Sequence, residues 1–156
     1  MTQPLSGSDI AKKIGEKFPD AVTSSDETAV SVQSKHLLEV ARFLKENLNL
    51  DFLNHITAVD YRDYFEIVYL LTSLKDNHSI VLKTRCDEGD APSIPSVISL
   101  WRGADLQERE IYDLMGISFD GHPNMKRIVL WEGFQGHPLR KSFVLDVPGG
   151  GRKDRV

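Results

Sequence analysis

Apolar residues recur along this chain with two different periods, and the switch between them marks out its parts. Residues 8–18, SDIAKKIGEKF, place Ile10, Ile14 and Phe18 on one face of a helix behind a Ser8 or Asp9 cap, and Pro19 stops the run. TAVSVQ, residues 28–33, carries a weak strand pattern. The segment SKHLLEVARFLKENL starts at Ser34 as N-cap and repeats Leu37, Ala41, Leu44 and Leu48 at the spacing of a core-facing helical stripe.

From residue 51 the period shortens. Residues 51–60 (DFLNHITAVD), 64–74 (YFEIVYLLTSL) and 78–85 (HSIVLKTR) are rich in β-branched and aromatic side chains, and turn-forming pieces Asp60-Tyr61-Arg62-Asp63 and Asp76-Asn77 separate them. Connections this short leave no room for a crossover helix, so the three strands form an antiparallel meander. CDEGDAPS, residues 86–93, reads as an acidic surface loop. Ile94, Val97, Ile98 and Trp101 then restore a helical stripe that Gly103 breaks. A further helix over 105–115 has punctuation at both ends: Asp105 as N-cap, Glu108 three residues on as the other half of a capping box, and Gly116 just past the last turn. The pattern predicts an α+β body over 1–116, an antiparallel sheet covered by helices.

Residues 117–156 keep neither period. They hold six of the eleven glycines and three of the seven prolines, yet also Ile128, Val129, Leu130, Trp131, Phe134, Leu139, Phe143, Val144 and Leu145. That is too much apolar surface for a solvated linker and more than the body can cover, so a partner protein is expected to meet the remainder. The chain is therefore a single domain overall with a long irregular C-terminal extension, a partner-binding strap whose order is expected to depend on that partner.

Composition narrows the class. At 156 residues, 40% hydrophobic and 27% charged, this is an ordinary soluble folded chain. No run approaches the roughly 18 apolar residues of a membrane span, and the start lacks the apolar core of a signal peptide, so the chain is expected to work from near Met1 in the cytosol. The single Cys86 excludes an internal disulfide and an iron–sulfur cluster held by this chain alone. Residues 1–120 carry 12 basic and 20 acidic side chains, and residues 121–156 carry 7 and 3: a basic strap on an acidic body. Those basic residues are interrupted by Gly and Pro, and a pI near 5.7 is far from that of a nucleic-acid-binding domain, so no nucleic acid is expected.

Candidate chemistry is sparse. The triplet Gly-His-Pro occurs twice, as Gly121-His122-Pro123 and Gly136-His137-Pro138. His122, His137, Glu132 and Cys86 are possible metal ligands, and a stand-alone metal-dependent hydrolase would use His122, His137 and Glu132, but no close ligand pair is present. Two bends are the simpler reading, because Gly permits unusual φ and Pro holds the preceding His extended. Glu108, Arg109, Glu110 and Asp113 fit plain helix architecture, with first-turn acids complementing the dipole and Arg109 pairing with Asp113 at i,i+4. Gly149-Gly150-Gly151 lies outside any strand–helix context and reads as a flexible end. No catalytic, cofactor-binding or metal residue is expected.

Glu108-Arg109-Glu110, then Asp113-Leu114-Met115, then His122, Lys126 and Ile128-Val129, at their spacing here, resemble the signature of the 30-kDa subunit of proton-pumping NADH:quinone oxidoreductase, respiratory complex I. Pro138-Leu139-Arg140-Lys141 is similar to that family's Pro-Leu-Arg-Lys ending, while Met115 and Ser142 depart from its usual aromatic and acid. The resemblance spans about residues 50–145 and is most specific over 105–141. It implies a non-catalytic scaffold of the peripheral arm with no cofactor of its own. The 49-kDa-like quinone-pocket subunit and the terminal iron–sulfur cluster subunit would be its partners, and NADH or another reduced donor, quinone and iron–sulfur clusters would be handled by them. Its place would be peripheral, on the cytoplasmic face of the cell membrane or the stromal face in a plastid. Glu108, Arg109, Glu110, Asp113, Gly121, His122, Pro123, Lys126, Arg127, His137, Pro138, Leu139, Arg140 and Lys141 would be its signature and interface residues. Arg140 and Lys141 would meet carboxylates or carbonyls of the neighbour. Related membrane-bound hydrogenases and reduced-deazaflavin dehydrogenases use similar subunits, so the electron donor stays open.

Overall fold

The structure is a computed structural model that describes residues 1–145; the Gly149-Gly150-Gly151 run and the rest of 146–156 lie outside the described residues. In chain order the elements are β1 (Gln3–Pro4), α1 (Gly7–Lys17), β2 (Val22–Ser25), β3 (Ala29–Val32), a 3-10 turn (Ser34–His36) running into α2 (Leu37–Asn47), β4 (Phe52–Asp60), β5 (Tyr64–Ser73), β6 (His78–Asp87), β7 (Ser93–Pro95), α3 (Ala104–Met115) and β8 (Ser118–Asp120).

The meander forms as its short turns require, with β4 antiparallel to β5 and β5 antiparallel to β6. Side chains alternate between faces: Phe65, Ile67, Tyr69 and Leu71 of β5 and Ile80, Leu82, Thr84 and Cys86 of β6 are buried with the helices, while Tyr64, Val68 and Leu70 face the other way. The α+β class holds, but the six-stranded sheet is mixed. β3 pairs parallel with β6, β1 pairs parallel with the start of β6, and β2 adds antiparallel to β3. A parallel join is possible because α2, β4 and β5 all intervene between β3 and β6.

Several boundaries differ from the pattern reading for local reasons. The cap of α1 is Ser6, whose Oγ accepts the Asp9 N–H at 3.3 Å, rather than Ser8 or Asp9. Ser34 opens the 3-10 turn instead of capping α2. The stripe from Ile94 to Trp101 is not a helix. Pro95 favours an extended Ile94, which sits in β7 beside β8, and one turn follows in which the Leu100 and Trp101 N–H groups reach the Val97 carbonyl. Ile94, Val97 and Trp101 are buried as their spacing suggests, by a strand followed by a turn.

Helix α3 starts at Ala104 after Gly103 and has no side-chain cap, so the expected capping box of Asp105 and Glu108 does not form. Its end is as expected: Gly116 is left-handed at φ +71°, and a Cβ there would come within 2.5 Å of the His137 ring, so glycine is required twice over. The core does not stop at 116. Ile117 and Phe119 are buried and β8 pairs with β7, so the irregular stretch begins after Asp120.

Candidate functional site

The strap folds back on the C-terminal half of α3, and one carboxylate organises it. Asp113 is fully buried. Its Oδ2 accepts three consecutive backbone N–H groups, Ile128 at 3.0 Å, Val129 at 2.7 Å and Leu130 at 2.9 Å, and its Oδ1 accepts from Arg127 Nη1 at 2.8 Å. Burial on its own would raise this carboxyl. The three N–H donors and the guanidinium outweigh it and hold Asp113 below the usual carboxylate range. Successive N–H groups converging on one anion make a small nest, which fixes the strap's turn at 128–130.

The carbonyls that end α3 are satisfied by the strap as well. The Asp113 carbonyl accepts from His137 Nδ1 at 2.9 Å, Leu114 from the Leu139 N–H at 3.0 Å, Met115 from Arg140 Nε at 2.6 Å and Gly116 from Arg140 Nη2 at 3.2 Å. A helix end leaves such carbonyls without intrahelical donors and carries partial negative charge, so a guanidinium is the fitting cap. Arg140 also lies 5.3 Å from the centre of the Phe65 ring. One residue on, the Lys141 N–H donates to Asp60 Oδ2 at 2.7 Å, while Asp60 Oδ1 takes the Arg62 N–H. Arg140 thus meets carbonyls of its own chain rather than a neighbour's.

Arg109 does not pair with Asp113. Both Asp113 oxygens are taken by the strap, and Arg109 donates instead to the carbonyls of Lys126 and Arg127, at 3.1 and 3.4 Å. Glu108 turns inward, fully buried, accepting the Ser96 hydroxyl at 2.6 Å and the Val97 N–H at 2.8 Å. Burial raises its carboxyl against the pull of those two donors. Glu110, Gly121, Pro123, Lys126, Glu132 and Lys141 are exposed, and Pro138 is half-buried.

The two Gly-His-Pro triplets are bends, with Gly121 and Gly136 both at φ +87°. Their histidines work in opposite senses. His122 Nδ1 accepts the Asn124 N–H at 3.0 Å while Nε2 faces the Asp105 carbonyl at 3.2 Å and Oδ1 at 3.3 Å. His137 must carry its proton on Nδ1, which faces a carbonyl. The structure therefore does not bring His122, His137 and Glu132 together, and among the described residues no group of three or more His, Cys, Asp or Glu side chains could hold a metal ion. Cys86 is buried, and burial pushes its thiol up.

With its polar side turned to α3, the strap turns its apolar side out. Trp131 (68% exposed), Val129, Leu139, Val144 and Leu145 are all exposed. A small aromatic stack stiffens this surface, with Trp131 edge-on to Phe134 at 4.9 Å and Phe134 stacked on Phe143 at 6.0 Å. Nothing in the pattern of the sequence marks the anchors Asp60 and Phe65, since Asp60 looks like an ordinary turn acid before β5.

Comparison with known proteins fits this geometry. Residues 30–148 match the family described as the respiratory-chain NADH dehydrogenase 30 Kd subunit. The second C subunit of the NADH-quinone oxidoreductase of Rhizobium etli is 38% identical over 97% of this chain and 81% of its own length. The C subunit of the Roseiflexus sp. enzyme is 39% identical over 94% and 86%, and that of Moorella thermoacetica 42% identical over 85% and 92%. Among solved structures, a chain of the membrane-bound sulfane sulfur reductase, an archaeal respiratory membrane complex, superposes with a TM-score of 0.73 at 28% identity, over 87% of this chain and 84% of that one.

Proposed function

Because the chain belongs to the family of the 30 Kd subunit of respiratory-chain NADH dehydrogenase, we propose that it is a non-catalytic scaffold in the peripheral arm of a proton-translocating NADH:quinone oxidoreductase. The observation that carries this reading is the strap, pinned to α3 by its polar side and apolar outward. Residues 117–156 are its partner-binding segment. Exposed Trp131, Val129 and Leu139 are the kind of residues that become buried anchors at the centre of an interface. The partners are the quinone-pocket subunit and the terminal iron–sulfur cluster subunit. Electrons pass from NADH to quinone on cofactors held by those partners, and this chain fixes their relative position. It works peripherally, at the cytoplasmic face of the cell membrane or the stromal face in a plastid. In keeping with that, no helix among the described residues is long and apolar enough to cross a membrane.

A second reading is favoured by the likeness to a chain of the sulfane sulfur reductase: the same scaffold role in a related membrane complex fed by a different donor. One experiment separates the two and tests both. A tagged chain is recovered from membranes, its neighbours are identified, and quinone reduction is assayed with NADH, in the wild type and in the strap variants Trp131→Asp and Val129→Asp. The expected result is an NADH-oxidising complex whose recovery drops at least tenfold in variants that melt like the wild type. A complex that ignores NADH transfers the role to the second reading. Recovery of the chain without partners, or indifference to both substitutions, overturns the scaffold.

A further inference from the structure

Tyr69 is almost wholly buried, and its Oη has no hydrogen-bond partner among the described residues. It stands in the middle of β5, opposite Ile56 of β4 and Leu82 of β6, on the face that the helices cover. The Ile56 N–H donates to Gln107 Oε1 at 2.6 Å, which sets the Gln107–Glu108 turn of α3 over this part of the sheet. Glu108, fully buried beneath that turn, accepts only two hydrogen bonds, whereas a carboxylate offers about four lone-pair positions. The two groups sense each other: after burial, the nearby Glu108 charge is the next cause that holds the Tyr69 hydroxyl well above its ordinary value.

Buried hydroxyls in native interiors are nearly always paired, and where the chain supplies no partner a water with two or more polar neighbours takes the place. We propose that one ordered water lies between Tyr69 Oη and the Glu108 carboxylate, accepting from the tyrosine and donating to an unused lone pair of the glutamate. It completes a buried chain from Tyr69 through the water and Glu108 to Ser96, and so ties the middle of the sheet to α3 and to the turn before it. Cys86 is not the missing partner, since its Sγ contacts the carbonyls of Asp87 and Ser93.

A crystal structure of the full chain that resolves ordered solvent, together with the thermal melting of Tyr69→Phe, tests this. Density within hydrogen-bonding distance of both Tyr69 Oη and Glu108 is expected, and so is a fall in melting temperature of about 2–4 °C on removing the hydroxyl. An empty gap, a direct contact between Oη and the carboxylate, or a phenylalanine variant that melts at or above the wild type overturns the proposal.

Discussion

Arg127 on the strap, not Arg109 one helical turn away, is the cation that Asp113 holds: Arg127 Nη1 lies 2.8 Å from Asp113 Oδ1. The helix surface pairing that four-residue spacing suggests gives way because the strap brings three N–H donors and a guanidinium to a fully buried carboxylate. Asp113 is thereby the point from which the strap is positioned.

This relationship can be measured by double-mutant cycles. Asp113→Ala strands the guanidinium and three N–H groups, and is expected to cost about 3–5 kcal/mol in denaturant unfolding. Coupling of Asp113 to Arg127 should exceed about 1 kcal/mol, while coupling to Arg109 should stay below about 0.5 kcal/mol. Equal coupling to the two arginines would restore the simple helix pair.

Acid should act on the same site. The Asp113 carboxyl is lowered in the fold, so its contribution is complete above the unfolded value of about 3.9 and is lost as pH falls through the lower folded value. Glu108 is raised and acts in the opposite direction: its ionisation costs stability above the folded value, and that cost fades on acidification towards the unfolded value of about 4.3. Unfolding measured against pH should show Glu108→Gln removing the gain on mild acidification. Asp113→Asn, already weakened, should lack the steep loss below about pH 4. Wild-type slopes in both variants would contradict these assignments.

The sequence pattern alone predicts that removing residues 137–156 leaves the body folded. With the donors from His137, Leu139 and Arg140 on the end of α3 and the Lys141 N–H on Asp60, the isolated body should instead lose stability on the order of 3 kcal/mol, several net hydrogen bonds at about 1 kcal/mol each. Thermal melting and protease sensitivity of the truncated chain decide between the two, and an unchanged melt would mean that the strap is carried passively.

The opposed histidines give a spectroscopic test. Nitrogen NMR of the neutral rings should find His122 protonated on Nε2 and His137 on Nδ1, because one Nδ1 faces an N–H donor and the other a carbonyl. Identical tautomers would break one of these contacts.

What the sequence disclosed was local. The alternation of Ile67, Tyr69 and Leu71 with Val68 and Leu70 is visible in a short window, and so is Gly116 as a helix stop. The Gly-His-Pro bends and the outward apolar strap could also be read in this way. What misled was a local rule whose partner lay elsewhere. Glu108 has capping-box spacing, but Ser96 and Val97 claim it; Asp113 has ion-pair spacing, but residues 127–130 claim it. The β3–β6 join was hidden because hydrophobic periodicity says which face is buried and nothing about which strand lies alongside.

The hydrogen bond from the Lys141 N–H to Asp60 closes a loop of 81 residues, and β1 finds its place only when β6 exists beside it. Both ends of the chain therefore depend on its middle. On a ribosome the first strand must wait, unpaired, for residues 78–79, and the end of α3 stays uncapped until residue 140 has emerged. Because distant contacts form only after their loop-closure entropy has been met, the strap should be the last region to gain protection from exchange during refolding. The docking surface would then become complete only on a finished body, so that a half-made chain offers its partners nothing to hold.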